Sequence, residues 1–313
     1  MYDTVQMRLN NFDVPGVSFL DETAVYLDEI TLSGENKSGL HFLCGNLGGL
    51  IVSLDESAAR ITKGSLCKWY LGDNLQELTR GDTRRALEKL SDTLHLPMDR
   101  AKVSRIDIAH NLIMEHPPRV YFGHLGPLRY ATRLQEPEGI YYKQGAGRLA
   151  FYDKMKEAQR GGDTFPEIYA GQNVLRYERR FQHRLPKYLN EPEITGATLY
   201  DEMFYIKLVD LWLKGYRDIS KINDIIINPE AMKSKKEFDR AARLALVEKF
   251  GGEASLLEAI KEMQLRGDLT KKQAFDMRKA VREACTSGMS LTVQSEAVGE
   301  LERKIKEAAA YYR

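Results

Sequence analysis

The chain has 313 residues, of which 43% are hydrophobic and 29% charged, with a formal net charge of +1. That length supports a substantial core in one large or two smaller domains, and the near-neutral charge counts against a protein that coats nucleic acid nonspecifically. No apolar run approaches the roughly 18 residues of a transmembrane helix. Met1 to Gln6 lack the basic and apolar regions of a signal peptide, so no membrane partner is expected. Cys44, Cys67 and Cys285, widely spaced and without metal-ligand spacing, point to a reduced cytoplasmic setting.

The first 190 or so residues read as mainly β. Val5, Met7 and Leu9 alternate with polar neighbours, as on a half-buried strand. The short apolar runs Leu40–Cys44, Leu50–Leu54, Ala59–Ile61 and Leu66–Leu71, separated by turn residues, predict an antiparallel meander. A helix is expected over Asp82–Leu94, capped by Asp82 or Thr83, with Ala86, Leu87, Leu90 and Leu94 on one face and Pro97 closing it. Val103–Ala109 alternates as a strand. A hairpin follows, with arms Ile140–Lys143 and Arg148–Tyr152 joined through Gly145-Ala146-Gly147, and then an Arg-rich strand over Val174–Phe181. From about Leu199 helical spacing replaces strand signals, for example Phe204, Leu208, Leu211 and Trp212, predicting four or five helices. The expected class is therefore α+β: an antiparallel sheet with a flanking helix in residues 1–195, then an all-helical region in residues 196–313 for DNA recognition or partner contacts.

Three acidic segments carry the candidate chemistry. Strand alternation puts Arg105 and Asp107 on one face, with Ile106 and Ile108 on the other. It aligns Arg176, Glu178 and Arg180 in the same way, and Asp153 falls at a strand end. Charges on central strands are costly to bury unless paired or bound to a metal. The alternative is a solvated outer face with cross-strand ion pairs.

The order Arg105-Ile-Asp107-Ile-Ala109, Arg148-x-x-x-Tyr152-Asp153-Lys154, Leu175-Arg176-Tyr177-Glu178-x-Arg180-Phe181 resembles the replication initiators of filamentous phage, the gene II and gene X proteins. It also resembles the related Rep initiators of small rolling-circle plasmids. The opening Met1–Leu9 and Gly64-Ser65-Leu66-x-Lys68-Trp69-Tyr70 are similar to the phage group as well, so the resemblance spans roughly residues 1–200.

The resemblance implies a metal-dependent nickase in a bacterial cytoplasm, acting on single-stranded DNA and on duplex at an origin. A tyrosine would attack a phosphodiester, hold the strand as a 5′-phosphotyrosine, and later rejoin it. Many such initiators hold their metal with a His-x-His pair, which is absent here: the six histidines are scattered. Carboxylate ligands for Mg²⁺ or Mn²⁺ are therefore expected, with Asp107 and Glu178 first and Asp153 or Glu157 third. The plasmid group often places a second acid where this chain has Asn111. Counting twelve residues past Arg176, as in the plasmid group, makes Tyr188 the expected nucleophile, with Tyr200 and Tyr205 next. A phenol of pKa about 10 needs help to ionise, and Lys187 and Arg184 would supply positive charge. Lys154 and Arg176 would steady the phosphate. Arg105, Arg180, Arg184 and Lys187 would meet DNA, with Tyr141, Tyr142 and Phe181 stacking on bases. A homodimer and a host helicase or polymerase are further partners that the resemblance admits. The competing readings are a DNA-binding protein without catalysis, a nuclease that uses water, and a purely structural phage or plasmid protein.

Overall fold

The computed structural model describes residues 1–35, 39–145, 147–163, 166–222, 233–286 and 295–313. Strand β1 (Tyr2–Asn10) is followed by the meander β2 (Glu29–Glu35), β3 (His41–Leu47), β4 (Leu50–Asp55) and β5 (Ala58–Lys63). Helices α1 (Leu66–Leu71) and α2 (Arg80–Leu94) lead into the long strand β6 (Lys102–Met114). Next come α3 (Pro118–His124), β7 (Leu125–Leu128), β8 (Thr132–Glu136), β9 (Gly139–Gln144) and β10 (Gly147–Asp153). Helix α4 (Lys154–Gly161) precedes β11 (Asn173–Gln182), and α5 (Leu185–Leu189), α6 (Glu202–Arg217) and β12 (Ile219–Lys221) follow. The last helices are α7 (Lys235–Lys249), α8 (Glu253–Arg266), α9 (Lys271–Thr286) and α10 (Glu296–Tyr311).

Ten strands form one antiparallel sheet in the order β2-β3-β4-β5-β1-β6-β11-β10-β9-β8, and β12 pairs with β7 apart from it. The hairpin arms pair as the sequence predicts, Arg148 opposite Lys143 and Ala150 opposite Tyr141. Ala146, in the expected turn, lies outside the described residues. Leu66–Leu71, expected as a strand, is instead helix α1. Ser65 caps it by accepting from the Lys68 amide at 3.1 Å, and left-handed Gly72 ends it. Gly64, at φ +103°, makes the sharp entry: a Cβ there would lie 2.5 Å from the Gly49 carbonyl oxygen. Helix α2 starts at Arg80, two residues earlier than expected, because Thr79 and Asp82 form a capping box.

Alternation gives the central strands two unlike faces. On one face, Tyr2, Ile106, Ile108, Phe151 and Tyr177 are buried with Trp212 and Tyr216 of α6. Phe151 stacks on Tyr177 with centroids 4.3 Å apart, and the Tyr177 hydroxyl donates to the Trp212 carbonyl at 2.9 Å. Helix α10 closes the same layer: its C-cap residue Tyr312 bonds His110 Nδ1 of β6 at 2.9 Å, and Tyr121 of α3 donates to Glu300. Core packing thus runs across residues 195 and 196 and takes in α6 and α10. Helices α7, α8 and α9 gather a separate small core of Val247, Leu256, Ile260, Ala274 and Val281. Among the described residues no helix is long and apolar enough to cross a membrane.

Helix α6 approaches the sheet through Gly215, where a Cβ would lie 2.8 Å from both the Tyr177 hydroxyl and Arg179 Nη1. Gly215→Val is expected to cost about 1–3 kcal/mol by overpacking. Gly299→Ala, in α10 with nothing within 4 Å of a new Cβ, is expected to add nearly 1 kcal/mol of helix stability. Thermal melts of the two variants should therefore move in opposite directions.

Candidate active site

The other face of β6, β11 and β10 carries the charge. Successive cross-strand rows read Asp107, Arg180, Arg148; then Ala109, Glu178, Ala150; then Asn111, Arg176, Tyr152. Strand β9 extends the middle row with Tyr141. Because side chains alternate at period two, these residues all stand on one side, away from the helix-covered core.

Asp107 is 1% exposed and is gripped by two guanidinium groups. Arg105 Nε donates to its Oδ1 at 2.8 Å and Arg105 Nη2 to its Oδ2, while Arg180 Nε reaches Oδ2 at 3.0 Å. Arg180 also bridges to Glu178, with Nη2 to Oε1 at 3.2 Å. The second Glu178 oxygen accepts from the Tyr152 hydroxyl at 3.3 Å. Burial, and then the neighbouring charge of Asp107, raise the Glu178 pKa above the ordinary carboxylate value; Arg176 and Arg180 oppose this only in part.

Arg176 is buried and organises the far end of the face. Its Nη2 pairs with Asp3 at 3.0 Å, and its Nη1 donates to the Asn74 carbonyl at 2.9 Å and to Asn111 Oδ1 at 3.1 Å. Its Nε is enclosed without a hydrogen-bond partner among the described residues. Burial works against the Asp3 carboxylate, yet Arg176 and the Ser65 hydroxyl hold its pKa below the ordinary value. Asp3 is a site residue that sequence alternation misses. Counted from Val5 it belongs with the apolar face, but a register shift between Tyr2 and Val5 turns it to the charged side.

The expected residues divide into those that the face collects and those that it does not. Asp107, Glu178, Arg105, Arg176 and Arg180 stand together, and Lys154, buried at the start of α4, pairs with Glu157 at 2.6 Å. Asp153 is used otherwise: its carboxylate caps α4 by accepting from the Lys156 amide at 3.1 Å. Tyr142 and Phe181, expected to stack on bases, are buried, the Tyr142 hydroxyl donating to the Gly126 carbonyl at 2.7 Å. Tyr188 stands on the opposite side of the sheet. Its hydroxyl accepts from Arg179 Nη2 at 3.2 Å, and Arg179 points to the α6 side, where it donates to the Leu211 carbonyl. Arg184 and Lys187 are exposed beside it. Tyr200 and Tyr205 also lie away from the charged face: Tyr205 is buried with its ring 5.8 Å from that of Tyr2.

The tyrosines of the charged face are Tyr152 and Tyr141. Burial and Glu178 raise the Tyr152 pKa well above 10. Tyr141 is half-buried and has the Arg148 guanidinium 4.2 Å from its ring centroid. Its hydroxyl lies over Gly139, where a Cβ would be 2.9 Å away, and has no hydrogen-bond partner among the described residues. Burial and Glu136 raise its pKa, opposed by Arg148 and Arg160.

The family model for the N-terminal region of the phage replication-associated gene II protein matches residues 1–214. The chain belongs to this family of phage replication-associated proteins. This bears out the resemblance to the phage gene II group drawn from the motifs on β6, β10 and β11. The match covers the whole ten-stranded sheet and most of α6, and every residue of the charged face lies within it. Among solved structures the chain is similar to a rolling circle replication initiator protein from Geobacillus stearothermophilus, at 11% identity and a TM-score of 0.41, covering 77% of this chain and 94% of that one. No curated protein matches the chain.

The two central acids respond oppositely to neutralisation. Glu178→Gln removes a carboxylate whose pKa is raised in the folded state, so its ionised form opposes folding at pH values above the unfolded value of about 4.3. Without added metal, Glu178→Gln should therefore raise Tm at pH 7.5, by roughly 2–4 °C for each kcal/mol relieved, and by less at pH 4. Asp107→Asn removes the shared partner of Arg105 and Arg180 and should lower Tm, at a cost of about 1.5–3 kcal/mol. Melts of both variants at the two pH values check the assignment.

Proposed function

We propose that this replication-associated protein is a nickase that opens one DNA strand at its origin by tyrosine attack and later rejoins it. The observation that carries this reading is the charged face itself. Three carboxylates and four cations are held on the middle strands of a rigid sheet, where nothing in the core requires them. An arrangement fixed before substrate arrives needs little reorganisation when charge develops on a phosphate.

In this reading the phenol oxygen bonds to phosphorus, the bond from phosphorus to the 3′ oxygen breaks, and the departing oxygen takes a proton to become the priming 3′-hydroxyl. The phosphotyrosine keeps the ester bond, so the reverse attack reseals the strand. Arg105, Arg148 and Arg180, all half-buried, are the cations of the face that can turn toward a phosphate. Arg176 and Lys154 are buried and act by fixing Asp3 and the start of α4. Of the face's two tyrosines, Tyr141 has the free hydroxyl and shares the row of Glu178, so the attacking phenol is assigned to Tyr141. Tyr188 serves only if α5 is carried round the end of β11, a turn already bounded by left-handed His183, Arg184 and Asn190.

Asp107 and Glu178 suit Mg²⁺ or Mn²⁺: they are hard oxygen donors bridged by Arg180, and burial and the charge of Asp107 raise the pKa of Glu178. Among the described residues no group of three or more metal-binding side chains occurs, so the third carboxylate expected from the sequence does not join the other two; an ion here would be held by one or two carboxylates and the substrate phosphate. Such an ion would neutralise charge on the scissile phosphate.

The test is a covalent-adduct assay with single-stranded origin DNA and Mn²⁺, followed by mass spectrometry of the attached peptide. The expected adduct survives denaturant, maps to Tyr141, and is lost in Tyr141→Phe and in Glu178→Ala. An adduct on Tyr188 would keep the nickase and reject the face-based choice of nucleophile. Cutting without any adduct would mean attack by water, and tight binding without cutting would leave a DNA-binding protein.

A further inference from the structure

Helices α7 and α9 lie beyond the family match, and pack against each other around the second small core. Between them runs a cavity of ≈ 740 Å³ lined on the α7 side by Lys235, Lys236, Arg240 and Arg243. It is continued along α9 by a second hollow of ≈ 330 Å³, where Arg278, Lys279 and Arg282 surround Phe275. The spacing explains the clustering, since residues 236, 240 and 243 fall on one side of a helix, as do 275, 278, 279 and 282. Seven cations face Asp239, Glu283 and, near Arg282, Glu253, so the groove is strongly positive in a chain of net charge +1.

Two further features point to what fills it. Among the described residues Arg240 Nε and Nη2 are enclosed with no hydrogen-bond partner, a costly state that an anionic oxygen reaching them would relieve. Phe275 is 60% exposed in the midst of three cations, and an apolar ring so placed gains nothing from water. A cationic track with an exposed aromatic ring is the arrangement that holds unpaired nucleic acid, phosphates on the charges and a base on the ring.

We propose that the α7–α9 groove is a second DNA site, one that binds single-stranded DNA without regard to sequence. It rests on the protein acting on DNA but not on the chemistry of the charged face. Positioned outside the sheet, it would hold strand that the charged face is not handling.

The test uses the full-length protein and fluorescence anisotropy with a labelled oligothymidine of about 20 nucleotides, long enough to span a groove of this kind, at several salt concentrations. Lys236→Gln, Arg243→Gln and Arg282→Gln combined, all exposed positions, should flatten the dependence of log K on log salt by about 2, at about 0.7 per lost contact on a single strand. Phe275→Ala should weaken binding about tenfold, with the salt slope unchanged. Both variants should still form the origin adduct at saturating oligonucleotide. Failure of the wild type to form that adduct would count against the nickase and leave this result standing. Unchanged affinity and slope in both variants would overturn the proposal, as would a loss seen with duplex but not with oligothymidine. Circular dichroism melts confirm that the variants fold.

Discussion

The Asp107 carboxylate sits almost fully buried on a central strand, and it is tolerable there because Arg105 and Arg180 close on it from two directions. Arg180 then reaches Glu178, Glu178 meets Tyr152, and Arg176 on the same strand takes hold of Asp3. The face is therefore a chain of alternating charge built along β6, β11 and β1. Its weak link is Glu178, which receives too little positive charge for its burial. In the proposed reading this carboxylate, short of positive charge for its burial, is where a divalent cation would bind.

The opposite face makes this arrangement possible. Tyr177, Phe151, Trp212 and their neighbours bury the apolar side of the same strands under α6 and α10, and burial of this kind yields about 25 cal/mol for each Å² removed from water. One sheet thus separates its two tasks by side-chain parity alone: stability on one face, charge on the other. Among the described residues, α7, α8 and α9 gather a core of their own, separate from that of the sheet.

Much of this was legible in the residues. Period-two alternation aligned Arg105 with Asp107 on β6, and Arg176 with Glu178 and Arg180 on β11, and the order of the motifs pointed to the family; only the register sets the two groups on a common side. What alternation could not show was a change of phase. The register shift between Tyr2 and Val5 brings Asp3 to the charged side against the count. The apolar run Leu66–Leu71 reads as a strand, and its helical state is decided by the Ser65 cap and by Gly64 and Gly72 at its ends. Tyr188 illustrates a further limit. Distance along the chain from Arg176 says nothing of the side to which the backbone turns after Gln182, and left-handed His183 and Arg184 send it toward α6. Asp153, correctly placed at a strand end, is claimed by the helix that follows, whose first turn needs a cap.

The proposed binding of a divalent cation by Asp107 and Glu178 can be read from thermal melts with and without Mn²⁺ between pH 5 and pH 8. A ligand that binds only the folded state raises Tm, and a carboxylate site gains affinity as its proton leaves. The expected result is a Mn²⁺-dependent rise in Tm that grows with pH in the wild type and vanishes in Glu178→Gln. An equal rise in both proteins, or none in the wild type at any pH, would mean that the pair holds no cation.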